Sequence, residues 1–182
     1  MGATRTRSTV EPTLRTLTPD AVLTCGYAGA LDPALRHGDV LFSTLSPTLA
    51  AALEPSGALR APIHCAERIA VTAGEKQTLR QATGAAAVEM ESGIIQTLCS
   101  ARQIPCATLR VISDTASEDL PLDFNQLTGA DDQLDPLRLA LAILRRPWRI
   151  PKLIALGRHS DQASRALAGA VNVAARALSS SP

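Results

Sequence analysis

Three acidic residues at the ends of two apolar segments are the side chains in this sequence best suited to chemistry. Glu89 and Glu91 follow the apolar run 85–88, and Asp114 follows the run 106–112. In open α/β sheets, ligands bind beyond the carboxyl ends of the strands, so we expect these carboxylates to share one edge of a sheet. Carboxylates accept hydrogen bonds from sugar hydroxyls, and a carboxyl group that is kept protonated acts as a general acid. The pattern predicts a site for a polyhydroxylated ligand.

A segment of small residues, 26–31, is expected to complete this site. It follows a predicted strand, and its two glycines, Gly26 and Gly29, let a backbone bend or approach a ligand closely. We expect a turn here, with Ala28 and Gly29 against the ligand.

Strand and helix patterns alternate along the chain and must position these residues. Apolar runs predict strands at 21–25, 38–42, 68–71, 85–88 and 106–112. Helical patterns cover 6–17, 75–83, 91–103 and 163–178, and residues 46–62, with three prolines, are predicted to be a surface excursion. The alternation indicates an α/β fold with a central sheet.

Composition limits the class of protein. The 182 residues suit one domain, 1–182, whose C-terminal part from 136 onward is predicted to be helical. A formal net charge of +1 and 2% aromatic residues argue against a nucleic-acid partner. The sequence contains no CxxC pair and no histidine at metal-ligand spacing, so it does not predict a metal site. We expect the four cysteines to be reduced, buried thiols in a cytoplasmic protein; they are Cys25, Cys65, Cys99 and Cys106.

Three segments resemble, in order, motifs of the nucleoside phosphorylase/nucleosidase superfamily. Val88-Glu89-Met90-Glu91 is similar to its VEME motif, and Ile112-Ser113-Asp114 is similar to its ISD motif. Residues 25–33, with Gly38-Asp39-Val40 behind them, resemble its G-x-A-G-x-L…GD[IV] segment, and residues 121–124 resemble the stretch that follows ISD. The resemblance is nearest to the methylthioadenosine/S-adenosylhomocysteine nucleosidases. It implies a phosphorylase/hydrolase-like fold of three layers, with a mixed sheet between helices.

The resemblance also implies a reaction, which is cleavage of the N-glycosidic bond of a purine nucleoside without a cofactor. Asp114 would protonate N7 of the base, which requires that burial raise its pKa. Glu91 would hold the ribose hydroxyls and Met90 would pack on the sugar. Glu89 would support the site, and Ser113 would orient Asp114 or the base.

Two departures from the family pattern leave alternatives open. Tyr27 occupies the place of a phosphate-contacting Ser or Thr, which favours water over phosphate as co-substrate. Met1-Gly2 aligns with a loop that in the family follows several strands, one of which carries the Glu that activates water, so the fold is expected to be N-terminally truncated. The tail, 110–147, resembles the hopanoid-associated phosphorylases, which implies a phosphorolytic or hopanoid-linked adenosyl substrate as an alternative. An inactive nucleoside-binding remnant is another.

Simpler interpretations apply to single residues. Asp114 alone would be a strand-end turn residue, Glu91 an acidic residue in the first turn of a helix, and Met90 a core residue. The basic cluster 145–149 is most simply a solvated helix end, with contact to a membrane surface as the alternative. Missing strands would leave a sheet edge open to pairing, so we expect a homo-oligomer.

Overall fold

The structure is a computed structural model that describes residues 3–127 and 135–179. A mixed sheet of six strands forms the centre of this part of the chain. The strands are β1 (Val22–Ala30), β2 (Val40–Thr44), β3 (Leu59–Arg60), β4 (Ile63–Cys65), β5 (Ala87–Glu89) and β6 (Cys106–Asp114), in the order β3-β2-β6-β1-β5-β4. The pairs β1–β6, β2–β3 and β4–β5 are parallel, and β1–β5 and β2–β6 are antiparallel.

Helices pack on both faces of this sheet. The α-helices of the described residues are α1 (Ala3–Thr16), α2 (Pro47–Leu53), α3 (Ala73–Thr83), α4 (Ser92–Ser100), α5 (Pro136–Arg145) and α6 (Ile150–Ser179). Of these, α5 has no buried residue. Ala107 of β6 packs in a core cluster with α2 and α6, whereas the neighbouring Cys106 packs with α1 and α4. Because successive residues of a strand point to opposite faces, the two helix pairs lie on opposite sides. The predicted α/β fold, a mixed sheet between helices, is confirmed.

Three helices, α2, α3 and α5, begin at a residue whose side chain caps the helix. Thr72 and Glu75 form a capping box at the start of α3, and Gly84 ends that helix in a left-handed conformation, with φ of 67°. The helix predicted at 163–178 lies within α6, and the one predicted at 91–103 ends earlier, at Ser100. The assignment of 1–182 to a single domain stays a prediction. No helix within the described ranges is long and apolar enough to cross a membrane.

The turn predicted at 26–31 is wrong, because β1 continues as a strand through Ala30. At Gly29 the small size is needed for a side chain of β6 that crosses β1, because a Cβ there would lie 2.9 Å from Oδ2 of Asp114. Glycine inside a strand often marks such a close approach. At Gly26 a Cβ would make only an ordinary contact, 3.6 Å from Cζ of Arg110.

Two other local predictions are also wrong. Residues 46–62 are not a surface excursion, because Ser46 caps α2, Pro47 suits its first turn, and Leu49 and Leu53 are buried. Residues 68–71 form no strand. Their backbone is held instead by side chains, including that of Glu75, whose Oε2 accepts a hydrogen bond from Val71 N at 2.7 Å.

The four cysteines are all free, but the prediction that all are buried is wrong. Cys99 is buried between α1 and α4, whereas Cys25 on β1 is exposed. The cause lies in the pairing of β1, since β5 contacts it only at Gly29 and Ala30. Along the rest of that edge, β1 has no strand partner among the described residues.

Candidate active site

A cavity of about 300 Å³ opens at the carboxyl ends of β1, β5 and β6. Its volume is at the lower end of the range typical for small-molecule sites, roughly 300–1,000 Å³. The structure brings every residue that the sequence singled out for the site to its lining, namely Ala28, Gly29, Glu89, Met90, Glu91, Ser113 and Asp114. The roles of these residues stay predictions, but their convergence is a property of the fold.

Asp114 lies at the last position of β6 and is 8% exposed. The parallel register between β1 and β6 shifts here, from Ala28 opposite Ile112 to Gly29 opposite Asp114. Ser113 falls in this irregularity, and its hydroxyl donates a hydrogen bond of 2.7 Å to Oδ1 of Asp114. The absent side chain at Gly29 and the hydroxyl of Ser113 together set the orientation of the carboxyl group.

Lys76 is a partner of Asp114 that the sequence analysis missed. Its Nζ lies 2.6 Å from Oδ2 of Asp114, and its side chain is fully buried. The same ammonium group donates to the carbonyl oxygens of Thr115 and Glu118 at 2.7 and 2.9 Å. The site therefore contains a buried cation in contact with the carboxyl group that is expected to act as the general acid. Its only sequence signal was one lysine on a predicted helix.

Glu89 ends β5 inside a network of donors. Its carboxylate accepts from the backbone N–H of Glu91 and from the N–H and hydroxyl of Ser92. It also pairs with the guanidinium of Arg110 at 2.7 Å, with both side chains almost fully buried. Burial acts to raise the pKa of Glu89, but the hydrogen bond from Ser92 and the charge of Arg110 outweigh it and lower the pKa from its ordinary value. Glu89 is thus an ionised, fixed carboxylate at the base of the cavity.

Glu91 and Met90 lie between β5 and α4 and are partly exposed where they line the cavity. Glu91 occupies the cap position of α4, but its side chain makes no capping hydrogen bond to that helix. A carboxylate at this end of α4 still suits the helix dipole, as the simpler interpretation of Glu91 expects. The carboxylate also borders the cavity.

An apolar wall completes the cavity, and the sequence analysis did not identify it. Its members come from the loop before α3, the segment after β6, and α6, and include Ile69, Leu120, Phe124 and Leu156. Asn125 holds this wall in place, because its amide donates to Ile69 O at 3.0 Å and accepts from Ile69 N at 2.9 Å. The resemblance of residues 121–124 to a family segment was the only sequence signal for Phe124.

Tyr27 stands on β1 at the same cavity, next to Ala28. Its ring is 46% exposed, and its hydroxyl donates a hydrogen bond of 3.3 Å to Ser160 O in α6. A bulky phenol occupies this position of the strand, and its hydroxyl is directed to α6.

Comparisons with known proteins agree with this architecture. The model of the Phosphorylase superfamily matches residues 56–145, which include β5, α4 and β6. The aminodeoxyfutalosine nucleosidase of Campylobacter jejuni is 27% identical, with 58% of this chain and 61% of that protein covered. A 5'-methylthioadenosine/S-adenosylhomocysteine nucleosidase of Mycobacterium bovis is 37% identical, but over only 30% of this chain and 21% of its own length.

Solved structures share the fold at low sequence identity. The methylthioadenosine/S-adenosylhomocysteine nucleosidase of Helicobacter pylori superposes with a TM-score of 0.61 at 23% identity, over 69% of this chain and 68% of that one. The nucleosidase of Colwellia psychrerythraea in complex with adenine gives a TM-score of 0.60 at 20% identity, with 69% and 67% covered. This chain resembles the Phosphorylase superfamily over residues 56–145 and shares its fold with solved nucleosidases. It spans about three fifths of the Campylobacter relative's length and about a fifth of the mycobacterial one's.

Proposed function

We propose that this chain cleaves the N-glycosidic bond of a purine nucleoside, with water as the attacking group. The observation that carries the proposal is the joint placement of Asp114, Glu91 and an apolar wall around one cavity of suitable size. Two relatives are named as nucleosidases, and one neighbour in fold was solved with adenine. These names support the class of substrate that we propose here.

In this proposal the carboxylate of Asp114, which pairs with Lys76 in the structure, takes up a proton from solvent and donates it to N7 of the purine as the bond between C1′ and the base breaks. The oxygen of the attacking water bonds to C1′, the proton that this water releases goes to solvent, and Asp114 is again a carboxylate. The ammonium group of Lys76, 2.6 Å away, stabilises that carboxylate, and the hydroxyl of Ser113 keeps its orientation. General acid catalysis of this kind contributes roughly 10² to 10⁴ in rate. Lys76 thus acts as a positioning and charge-compensating residue for Asp114.

Glu91 binds the ribose hydroxyls and Met90 packs on the sugar. Glu89 supports them from below, because its oxygens already accept from Arg110, from Ser92 and from the backbone of Glu91. The purine lies against the apolar wall that contains Phe124, since an aromatic ring favours a flat heterocycle.

Hydrolysis is favoured over phosphorolysis by Tyr27, whose bulky side chain stands where the phosphorylases place a phosphate-contacting hydroxyl. A second candidate is cleavage of a nucleoside with an apolar 5′ substituent, as the hopanoid-linked alternative implies. It is favoured by the apolar residues Leu120 and Leu156, which line the cavity beside its polar end.

Incubation of the purified chain with methylthioadenosine, with and without phosphate, tests the proposal by adenine release in chromatography. We expect release without phosphate, and at least a 100-fold loss for Asp114→Asn. Asp20→Asn, an exposed carboxylate outside the site, is the matched control.

Release only with phosphate would establish phosphorolysis instead. No release in either condition, from a chain whose circular dichroism shows the expected helix and strand content, would refute the enzymatic proposal and leave a nucleoside-binding role. We also propose a homo-oligomer, supported by the edge of β1 near Cys25, which has no strand partner in the described part of the chain. A cytoplasmic location is supported by the four free cysteines.

A further inference from the structure

A cluster of exposed apolar side chains lies on α5 and the first turns of α6. Of the eleven large apolar residues that are exposed in the described part of the chain, six lie within 137–154. They are Leu137, Leu141, Leu144, Trp148, Ile150 and Ile154, which we call the α5–α6 face. Such a concentration of exposed large apolar side chains in one short segment is typical of an interaction site, because singly scattered exposed apolar residues are ordinary surface.

The spacing shows that this exposure is a property of one side of each helix. Leu137, Leu141 and Leu144 are four and three residues apart, which places them on one side of α5. Leu137 and Leu144 are each 75% exposed, and α5 has no buried residue. α5 therefore directs its apolar side chains to solvent instead of the core, which is typical of a helix that lies on a surface.

The same segment has a strong excess of positive charge. Residues 136–160 contain six basic side chains and no Asp or Glu, although Asp135 and Asp161 flank them, and Arg138 is paired with Asp135 at 3.3 Å. Because the whole chain has a formal charge of +1, the remaining residues carry −5. A second copy docked face to face would bring two such basic segments together, so the charge disfavours self-association here and favours an anionic partner.

The composition of the α5–α6 face identifies the kind of partner. Exposed leucines, a tryptophan and several arginines at one surface are the residues of helices that lie in the interface of a bilayer. Trp148 is 70% exposed and stands between Arg146 and Arg149. The aliphatic stems of such arginines lie along apolar surface while their charged ends reach headgroup phosphates.

The α5–α6 face and the candidate active site share helix α6. Ile154 belongs to the face, and Leu156 and Ser160 line the cavity. Because an α-helix turns about 100° per residue, Leu156 lies on nearly the opposite side of α6 from Ile154, so the face and the cavity are separated by about one helix diameter, roughly 10 Å. Arg149 donates a hydrogen bond of 2.7 Å to the carbonyl of Pro121, next to the cavity residue Leu120. A surface bound at this face would lie close to the cavity.

We propose that the α5–α6 face docks this protein on the surface of a membrane that contains anionic lipids. The apolar side chains enter the headgroup region, the arginines bind lipid phosphates, and the cavity is held near the bilayer. The proposal does not depend on the reaction that the cavity carries out.

Trp148 provides the test, because it is the single tryptophan of the chain. The protein is titrated with vesicles of phosphatidylcholine alone and with vesicles containing about one third phosphatidylglycerol, and fluorescence and co-sedimentation are followed. We expect a blue shift and sedimentation with the anionic vesicles only, reversed by high salt.

Two variants separate the contributions. Arg145→Gln with Arg146→Gln should weaken binding on the order of 25-fold, since each basic residue near an anionic surface contributes about fivefold. Leu141→Ser with Leu144→Ser should abolish the blue shift. The control Arg7→Gln with Arg60→Gln removes the same charge from exposed positions elsewhere and should leave binding within about twofold.

Three outcomes would overturn the proposal. They are no binding to anionic vesicles, an equal loss in the control pair, or self-association of the vesicle-free protein that Leu141→Ser with Leu144→Ser abolishes. The last, seen by light scattering, would make the face an interface between copies.

Discussion

The buried pair of Lys76 and Asp114 is the interaction whose removal we expect to lower the free energy of unfolding most. Lys76 is fully buried, and Asp114 is 8% exposed, at 2.6 Å between the charged atoms. Removal of one partner of a buried pair leaves an uncompensated charge and costs about 3–5 kcal/mol. We expect Lys76→Met to fall in this range, because it also removes the two hydrogen bonds to Thr115 and Glu118.

A double-mutant cycle isolates the pair. Asp114→Asn leaves the ammonium group with its two carbonyl partners, so we expect it to cost less than Lys76→Met. The double variant has no unpaired charge, and its loss of stability should be smaller than the sum of the single losses by about 1–3 kcal/mol. Free energies of unfolding come from urea titrations followed by circular dichroism.

Lys152→Met is the matched control, because this second lysine is exposed and should change the free energy of unfolding by no more than about 0.5 kcal/mol. Additive losses in the cycle, within about 0.5 kcal/mol, would show that the two side chains do not interact and would refute this account of the site.

Two further predictions concern the same cavity. Gly29→Ala places a Cβ 2.9 Å from Oδ2 of Asp114, so it should displace the carboxyl group and lower kcat/KM about 100-fold, without loss of secondary structure. Gly157→Ala in α6, where a Cβ meets nothing, should leave kcat/KM unchanged, and equal effects of the two would contradict the steric argument. Because the pKa of Glu89 in the folded protein is lower than its ordinary value of 4.5, the ionised side chain stabilises the fold at pH values above 4.5. This contribution to the free energy of unfolding is lost as the pH falls through the lowered pKa. Urea titrations from pH 7 down to pH 3 should therefore show a decline at the acid end that is shallower in Glu89→Gln, and parallel curves would rule out this contribution.

Local sequence pattern placed each carboxylate of the acidic half of the site at the end of a strand. Glu89, Glu91 and Asp114 each follow an apolar run, and these runs form β5 and β6. Their convergence depended on strand pairing, because β5 runs antiparallel to β1 and therefore to β6. The placement at a strand end needs only the nearest neighbours of each residue. The same holds for α3, whose capping residues Thr72 and Glu75 are three positions apart.

Local sequence pattern gave wrong predictions of secondary structure where a residue is required by a contact with a residue distant in the sequence. The glycines of 26–31 predicted a turn, but Gly29 is a strand residue whose small size makes room for Asp114. Likewise, the irregular segment 68–71 appeared strand-like because its apolar residues face a cavity rather than a sheet.

What the sequence by itself determined is the approximate position of β1, β2, β5, β6 and most of the long helices, and the presence of carboxylates at strand ends, because hydrophobic periodicity and caps act within a few residues. Only the tertiary structure decided that Lys76 neutralises Asp114, and that Asn125 fixes the apolar wall at Ile69, 56 residues away. Such contacts form between residues that are far apart in the sequence but close in the fold. Their positions are set by the packing of the whole core, and the residues between them show no sequence pattern that predicts the contact.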